Sequence, residues 1–414
     1  LSGIAAGVTA AAIALAAALI PPATHTAHAA DAVAQTVEVS SYSELKDVVD
    51  RIGADNDRSN HTIVVKKNIA FSQMITLDKG QHVTLVSDST ACVASCELTY
   101  SDSDVKNHNF SLFNVYGDSS VTIGGGSDGT NKLSFSGEAN GRLLLVGTDA
   151  EGVNQRGRAT INGGTFNNNG KIFSDKPNTT GDGDIAYVYP QGNLSVNGGT
   201  FSDNRAPAIA NPVTTPTDKT IQRSGGAVIH SYGNVSINGG TFEGNYTQAN
   251  SYKNPGFHGG GAIWSDGTLT INNGTFSNNV SNAQHFMPGY DSSNTVDRDK
   301  IDRGGAIWAR GRLTINGGTF TGNWQKDHNG YDDQVNGRQN NYYATGGGAI
   351  YFGDGSTDDN GVMVVNGGTF DHNYSMQDGG AIFVTWHSKA VFQQGAFTNN
   401  WANRLGGAVY TEEN

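Results

Sequence analysis

The phrase INGGTFTGN, Ile315 to Asn323, decides the reading of the whole chain. Near copies read INGGTFNNN from Ile161, VNGGTFSDN from Val196, INGGTFEGN from Ile237, INNGTFSNN from Ile271, VNGGTFDHN from Val365 and FQQGAFTNN from Phe392. A second phrase, Gly-Gly-Ala followed by Ile or Val, opens at Gly225, Gly260, Gly304, Gly347, Gly379 and Gly406. The two phrases alternate along the chain. Interleaved phrases at roughly fixed spacing mark a repeat architecture.

One repeat, Gly260 to Asn279, reads GGAIWSDGTLTINNGTFSNN. Its segments AIW, TLTI and TF are rich in β-branched and aromatic residues, too short for helices, and bounded by Asp-Gly and Asn-Gly signals. Leu269 and Ile271 alternate with Thr268, Thr270 and Asn272, which gives one apolar and one polar face. Three short strands joined by corners of Gly and Asn make one coil, because both residues tolerate positive φ. A lone coil leaves its apolar face uncovered. Stacked coils pair each strand with its equivalents, about 4.8 Å above and below. The expected fold is therefore all-β, a right-handed parallel β-helix. The Asn closing each Phe-x-x-Asn recurs at Asn169, Asn204, Asn245, Asn279, Asn323, Asn373 and Asn400. We read it as an internal ladder whose amides bond corner backbone groups of neighbouring coils. Surface turn formers are the alternative.

The pairing of GGA[IV] with Phe-x-x-Asn resembles the repeats of the chlamydial polymorphic outer-membrane proteins. The resemblance covers roughly Ile161 to Tyr410 and implies a surface β-helix with adhesin function. That family ends in a membrane-embedded β-barrel, and no such segment is visible here. More broadly, the chain resembles the pectin-lyase-like β-helix proteins of bacterial surfaces.

Charged residues make up 15 % of the 414, and Gly accounts for 56. The net charge of −12 argues against nucleic acid and anionic lipid as partners. It disfavours polyanionic glycans unless a local basic patch exists. Mild acidity is otherwise read as solubility.

Residues 1–29 read as an export signal. An apolar run, Ile4 to Ile20, is broken by Pro21 and Pro22, and Ala27-His28-Ala29 offers a cleavage site after Ala29. A permanent membrane anchor is the alternative, at the short limit for a span. The positive start of such a signal is missing, so the sequence is expected to begin inside a precursor. Residues 30–110 read as an N-terminal cap with the first coils. Strands are expected at Val37 to Ser40, His61 to Val65, Ile75 to Leu77 and His82 to Val86. An amphipathic helix, Tyr42 to Ile52, carries Leu45, Val48, Val49 and Ile52 on one face and a Ser41/Glu44 capping box. It would cover the first coil's open end. Cys92 and Cys96 are the only cysteines, and a local disulfide suits an exported protein. Free thiols are the alternative, and two ligands make no closed zinc site.

Residues 111–414 read as β-helix repeats interrupted by five insertions: Lys171 to Asp184, Arg205 to Ser224, Tyr246 to His258, Val280 to Arg303 and Trp324 to Gly346. All follow Phe-x-x-Asn, so they leave the same corner of every coil, and the variable side of a repeat fold is its usual working side. Tyr252, His258, Tyr290, Trp324, Tyr331, Tyr342 and Tyr343 are the candidate ligand contacts there. They could stack on sugar rings, or pack the insertions onto the wall. Two aromatic series should form ladders that serve stacking: Tyr246, Trp324, Tyr374 and Trp401; and His230, Trp264, Trp308, Tyr351, Phe383 and Tyr410. The chain stops just after GGAVYT opens a new coil, so a further C-terminal part with a cap and any anchor is expected.

A lyase on this fold would need clustered carboxylates for calcium and a basic residue to abstract a proton. A hydrolase would need carboxylates on adjacent coils. Acids cluster only in insertions, at Asp182 and Asp184, at Asp297, Asp299 and Asp302, and at Asp327, Asp332 and Asp333. The sign-alternating run Asp297 to Arg303 reads better as a solvated loop. No catalytic residue, metal site or cofactor is assigned. The sequence points to an exported, cell-surface or extracellular adhesin for host cells or glycans. A polysaccharide lyase or hydrolase and a structural stalk are the rivals, and fold alone does not separate them.

Overall fold

The structure is a computed structural model that describes residues 36–101, 111–125, 131–136, 142–169, 185–206, 224–249, 257–283, 301–327, 346–353 and 361–412. The export segment and Ala29 lie outside them. Residues 34–414 form one compact unit.

That unit is a right-handed parallel β-helix. Its described strands stack into sheets of 11, 10 and 10 strands, with smaller sheets of six and three beside them. The coil containing Val235 shows the path. Ile229–Ser231 lies in an aromatic wall, Asn234–Ile237 in a flat wall and Thr241–Glu243 in a phenylalanine wall. The three-strand expectation is incomplete. A fourth strand follows the closing Asn, as in Tyr246–Ala249, and a short fifth precedes Gly-Gly-Ala, as in Phe257–Gly259. The insertions therefore start several residues later than Tyr246, Val280 and Trp324. Backbone pairing decides these strands. Each lies in register with its equivalents above and below, so it needs no apolar alternation of its own.

Register is residue for residue. Leu269 pairs with Val235 on one side and Leu313 on the other, Ile271 with Ile237 and Ile315. Inward residues of the flat wall are at most 2 % exposed from Ala159 to Val365. A single residue of slip would turn these apolar rows outward. In the next wall, Phe166, Phe201, Phe242, Phe276, Phe320, Phe370 and Phe397 stack with centroids 4.6–4.9 Å apart and planes within 13°. The residue before the closing Asn has φ between 52° and 64° in seven coils, which is why Asn, Asp, Gly or His stands there.

The cap contains the helix Tyr42–Ala54, two residues longer than expected. Ser41 Oγ accepts from the Glu44 N–H at 3.3 Å, and the Ser40 N–H donates to Glu44 Oε2 at 2.7 Å. Leu45, Val48, Val49 and Ile52 are buried, and Tyr42 meets Phe71 at 5.5 Å. A strand absent from the sequence reading, Ile69–Phe71, starts the phenylalanine wall. Cys92 and Cys96 form a disulfide.

Candidate ligand-presenting face

Each closing Asn from Asn169 to Asn373 is buried. Its Nδ2 donates to the Oδ1 of the next ladder Asn at 2.9 Å, in six consecutive steps ending at Asn400. From Asn204 onward, the second amide hydrogen goes to the carbonyl of the phenylalanine one coil earlier, at 2.8–3.0 Å. From Asn204 onward, each Oδ1 also accepts the backbone N–H of the preceding ladder Asn at 3.0–3.3 Å. Two donors and two acceptances satisfy each amide from Asn204 to Asn373, as a buried polar group requires.

An exposed counterpart runs along the opposite corner of the phrase. Asn197, Asn238, Asn272, Asn316 and Asn366 each donate to the Oδ1 of the equivalent Asn one coil earlier, at 2.7–2.8 Å. The two ladders point in opposite directions along the stack.

The aromatic series after Gly-Gly-Ala is interior. Trp264, Trp308, Tyr351 and Phe383 are at most 1 % exposed and form a separate core cluster. His230 stacks on Trp264 at 4.1 Å, Trp264 on Trp308 at 4.8 Å, and Tyr351 on Phe383 at 5.0 Å. Arg303 lies over Tyr351 at 4.7 Å. A Cβ at Gly225 would sit 2.9 Å from the Trp264 ring, so a glycine row lets this cluster close. Buried rings offer no platform to a sugar.

The series after the closing Asn lies further out. Tyr374 stacks on Trp401 at 4.4 Å, and Trp324 meets Tyr374 edge-on at 5.5 Å. Lys326 Nζ lies 4.0 Å from the Trp324 ring. Trp401 and Trp386 are about half exposed.

Among the candidate contacts, Trp324 is therefore placed on the fourth strand at the mouth of an insertion. Tyr252, Tyr290, Tyr331, Tyr342 and Tyr343, with the side chain of His258, lie outside the described residues. So do Asp182, Asp184, Asp297, Asp299, Asp332 and Asp333, and the side chains of Asp302 and Asp327. The insertion mouths are visible. The chain leaves after the fourth strands Tyr246–Ala249, Val280–Ala283 and Trp324–Asp327, which pair with one another. It returns at Phe257–Gly259, Ile301–Arg303 and the Gly346 bridge, which are also neighbours. All these insertions therefore issue from one corner of the solenoid.

The flat wall is polar. Its outward positions include Thr122, Thr160, Ser195, Ser236, Thr270 and Thr314, and none between Ser120 and Val364 is acidic. Among the described residues, no group of three or more His, Cys, Asp or Glu side chains could hold a metal ion, and no helix is long and apolar enough to cross a membrane.

With this geometry in view, comparison with known proteins adds one match. Residues 395–412, the last Phe-x-x-Asn with the following Gly-Gly-Ala-Val, match the Chlamydia polymorphic membrane protein repeat. A match to that repeat on a stack of parallel coils fits a β-helix protein similar to this family. No curated protein and no solved structure matches the chain.

Proposed function

We propose that this chain is a cell-surface β-helix protein of adhesin type, which uses its solenoid as a spine and its one-sided insertions as the contact surface for host cells or carbohydrate. The observation that carries this reading is the common corner of departure and return. Insertions of different sequence share one side because the strands flanking them are paired in register. Contacts that are individually weak gain strength when several are presented together. The match to a polymorphic membrane protein repeat supports a surface location.

The test is binding of fluorescently labelled protein to cultured host cells. A variant with residues 284–300 and 328–345 replaced by short Gly-Ser links serves as comparison. Binding should fall by about tenfold or more, as expected when several contacts are lost together, with the unfolding midpoint unchanged. Equal binding by both proteins would remove the insertions from the interaction, and absence of binding by the parent would remove the adhesin reading.

A further inference from the structure

A different corner, on the earliest coils, carries a cleft of about 340 Å³. It lies where the aromatic wall turns into the flat wall. The turn between Ile75–Leu77 and His82–Ser87 supplies Asp78 and Lys79, and the turn after Ser111–Val115 supplies Tyr116 and Gly117. Asn56 and Arg58 come from the loop after the capping helix, and Asn154 from the loop before Gly157–Ile161. We propose that this cleft binds the anionic group of an acidic sugar, a carboxylate or a sulfate on a glycan.

Three features support the assignment. The first is charge. Arg58 and Lys79 line the cleft against the single carboxylate of Asp78, which leaves one positive charge in a chain of net −12. Neither cation forms an ion pair among the described residues. Arg58 passes close over Gly80, where a Cβ would sit 3.2 Å from its Nε. The second is a positive field beyond the cleft. The neighbouring His82 is kept below its ordinary pKa by burial, and then by the fields of Arg158 and Arg58, with Asp118 opposing.

The third is the polar lining. Tyr116 brings a phenolic hydroxyl that reaches Asp78 Oδ2 only at 3.5 Å. Asn154 is fixed by its 2.5 Å bond to Asp118. An arginine fork suits a planar carboxylate or a sulfate, a lysine adds a point charge, and Asp78 and Tyr116 can pair with ring hydroxyls. Gly117, at φ 65°, lets the two turns approach closely, because a Cβ there would lie 2.0 Å from the Asp78 carbonyl oxygen. The volume is at the small end for ligand sites, which run from roughly 300 to 1,000 Å³, and so suits a sugar unit rather than a long chain.

The site stands at a different corner from the insertion mouths, so its test is independent of the adhesin reading. Titration of the full chain with 3′-sialyllactose, with 3′-sulfated lactose and with lactose reads the anion directly. At least one charged probe should bind about tenfold or more tighter than lactose, since a hydrogen bond to a charged group is worth about 1.5–3 kcal/mol. The arm that binds tighter names the anion. Arg58→Ala and Lys79→Ala should each weaken it by about fivefold or more, whereas Asp78→Asn should strengthen it by removing the opposing charge. A variant that merely loosened the fold would not produce that opposite sign. Equal binding of all three sugars, no binding of any, or charged-probe binding unaffected by both cation variants would overturn the proposal.

Discussion

Replacing Asn279 by Ala tests whether the interior amide ladder holds the coils together. The substitution removes four hydrogen bonds. Asn245 loses acceptors for its backbone N–H at 3.1 Å and its Nδ2 at 2.9 Å, while the Phe242 carbonyl and Asn323 Oδ1 each lose a donor at 2.9 Å. Asn279 is fully buried, so water cannot take over. At about 1 kcal/mol net for each bond the loss is about 4 kcal/mol, more where a backbone group is left buried and unpaired. Asn238→Ala is the matched control. It removes the same kind of amide-to-amide bond, at 2.8 and 2.7 Å, from the exposed ladder of the neighbouring coil. Water replaces those partners, so the cost should stay below about 0.5 kcal/mol. Urea unfolding compares the two variants. Hydrogen exchange then shows whether the coils around Asn279 open first, since a solenoid need not unfold as one unit. Similar midpoints for the two variants would refute the claim that burial makes the inner ladder structural.

Three further outcomes are expected. Trp308→Ala should cost about 3–5 kcal/mol in urea unfolding, because it empties a fully buried site in the aromatic cluster. Gly304→Ala should be far more damaging than Gly152→Ala in thermal unfolding. Both have positive φ, but a Cβ at Gly304 would lie 1.9 Å from the Ile307 carbonyl oxygen, whereas Gly152 has nothing within 4 Å and should lose only about 1–2 kcal/mol. Asp371 accepts from Thr398 and Asn399 and pairs with His372, which lowers its pKa to about 2, the Thr398 bond acting most. A depressed carboxylate adds stability that is fully present above its ordinary value near 3.8 and is lost as pH falls toward 2. NMR titration should place it there, and Asp371→Asn should flatten that part of the pH–stability profile.

The regular part of this fold is legible in the sequence because its determinants recur as identical residues. Phe276 above Phe242 and Asn279 above Asn245 are visible as repeated letters, and the apolar alternation of Leu269 and Ile271 assigns their face. The fourth strands were not legible. Their sequences, such as YTQA, VSNA and WQKD, share no pattern, and only the pairing of Val280 with Tyr246 and Trp324 orders them. The interior position of Trp264 and Trp308 was equally hidden. It depends on the short strands and glycines that close over the rings, and no periodicity reports that. The cleft at Arg58 and Lys79 escaped for another reason. Its residues come from four separate turns, and adjacency across coils leaves no trace in local spacing.

Ladder positions one coil apart are separated by as few as 27 residues and as many as 50, yet the hydrogen bond joining them is 2.9 Å in both cases. The spine is thus indifferent to how much chain passes between its rungs. Doubling the length of such an excursion costs only about 0.6 kcal/mol in closure entropy. The segments at the insertion corner can therefore be rewritten or lengthened while the coils beneath keep their register. That separates the part of the chain free to vary from the part that must not.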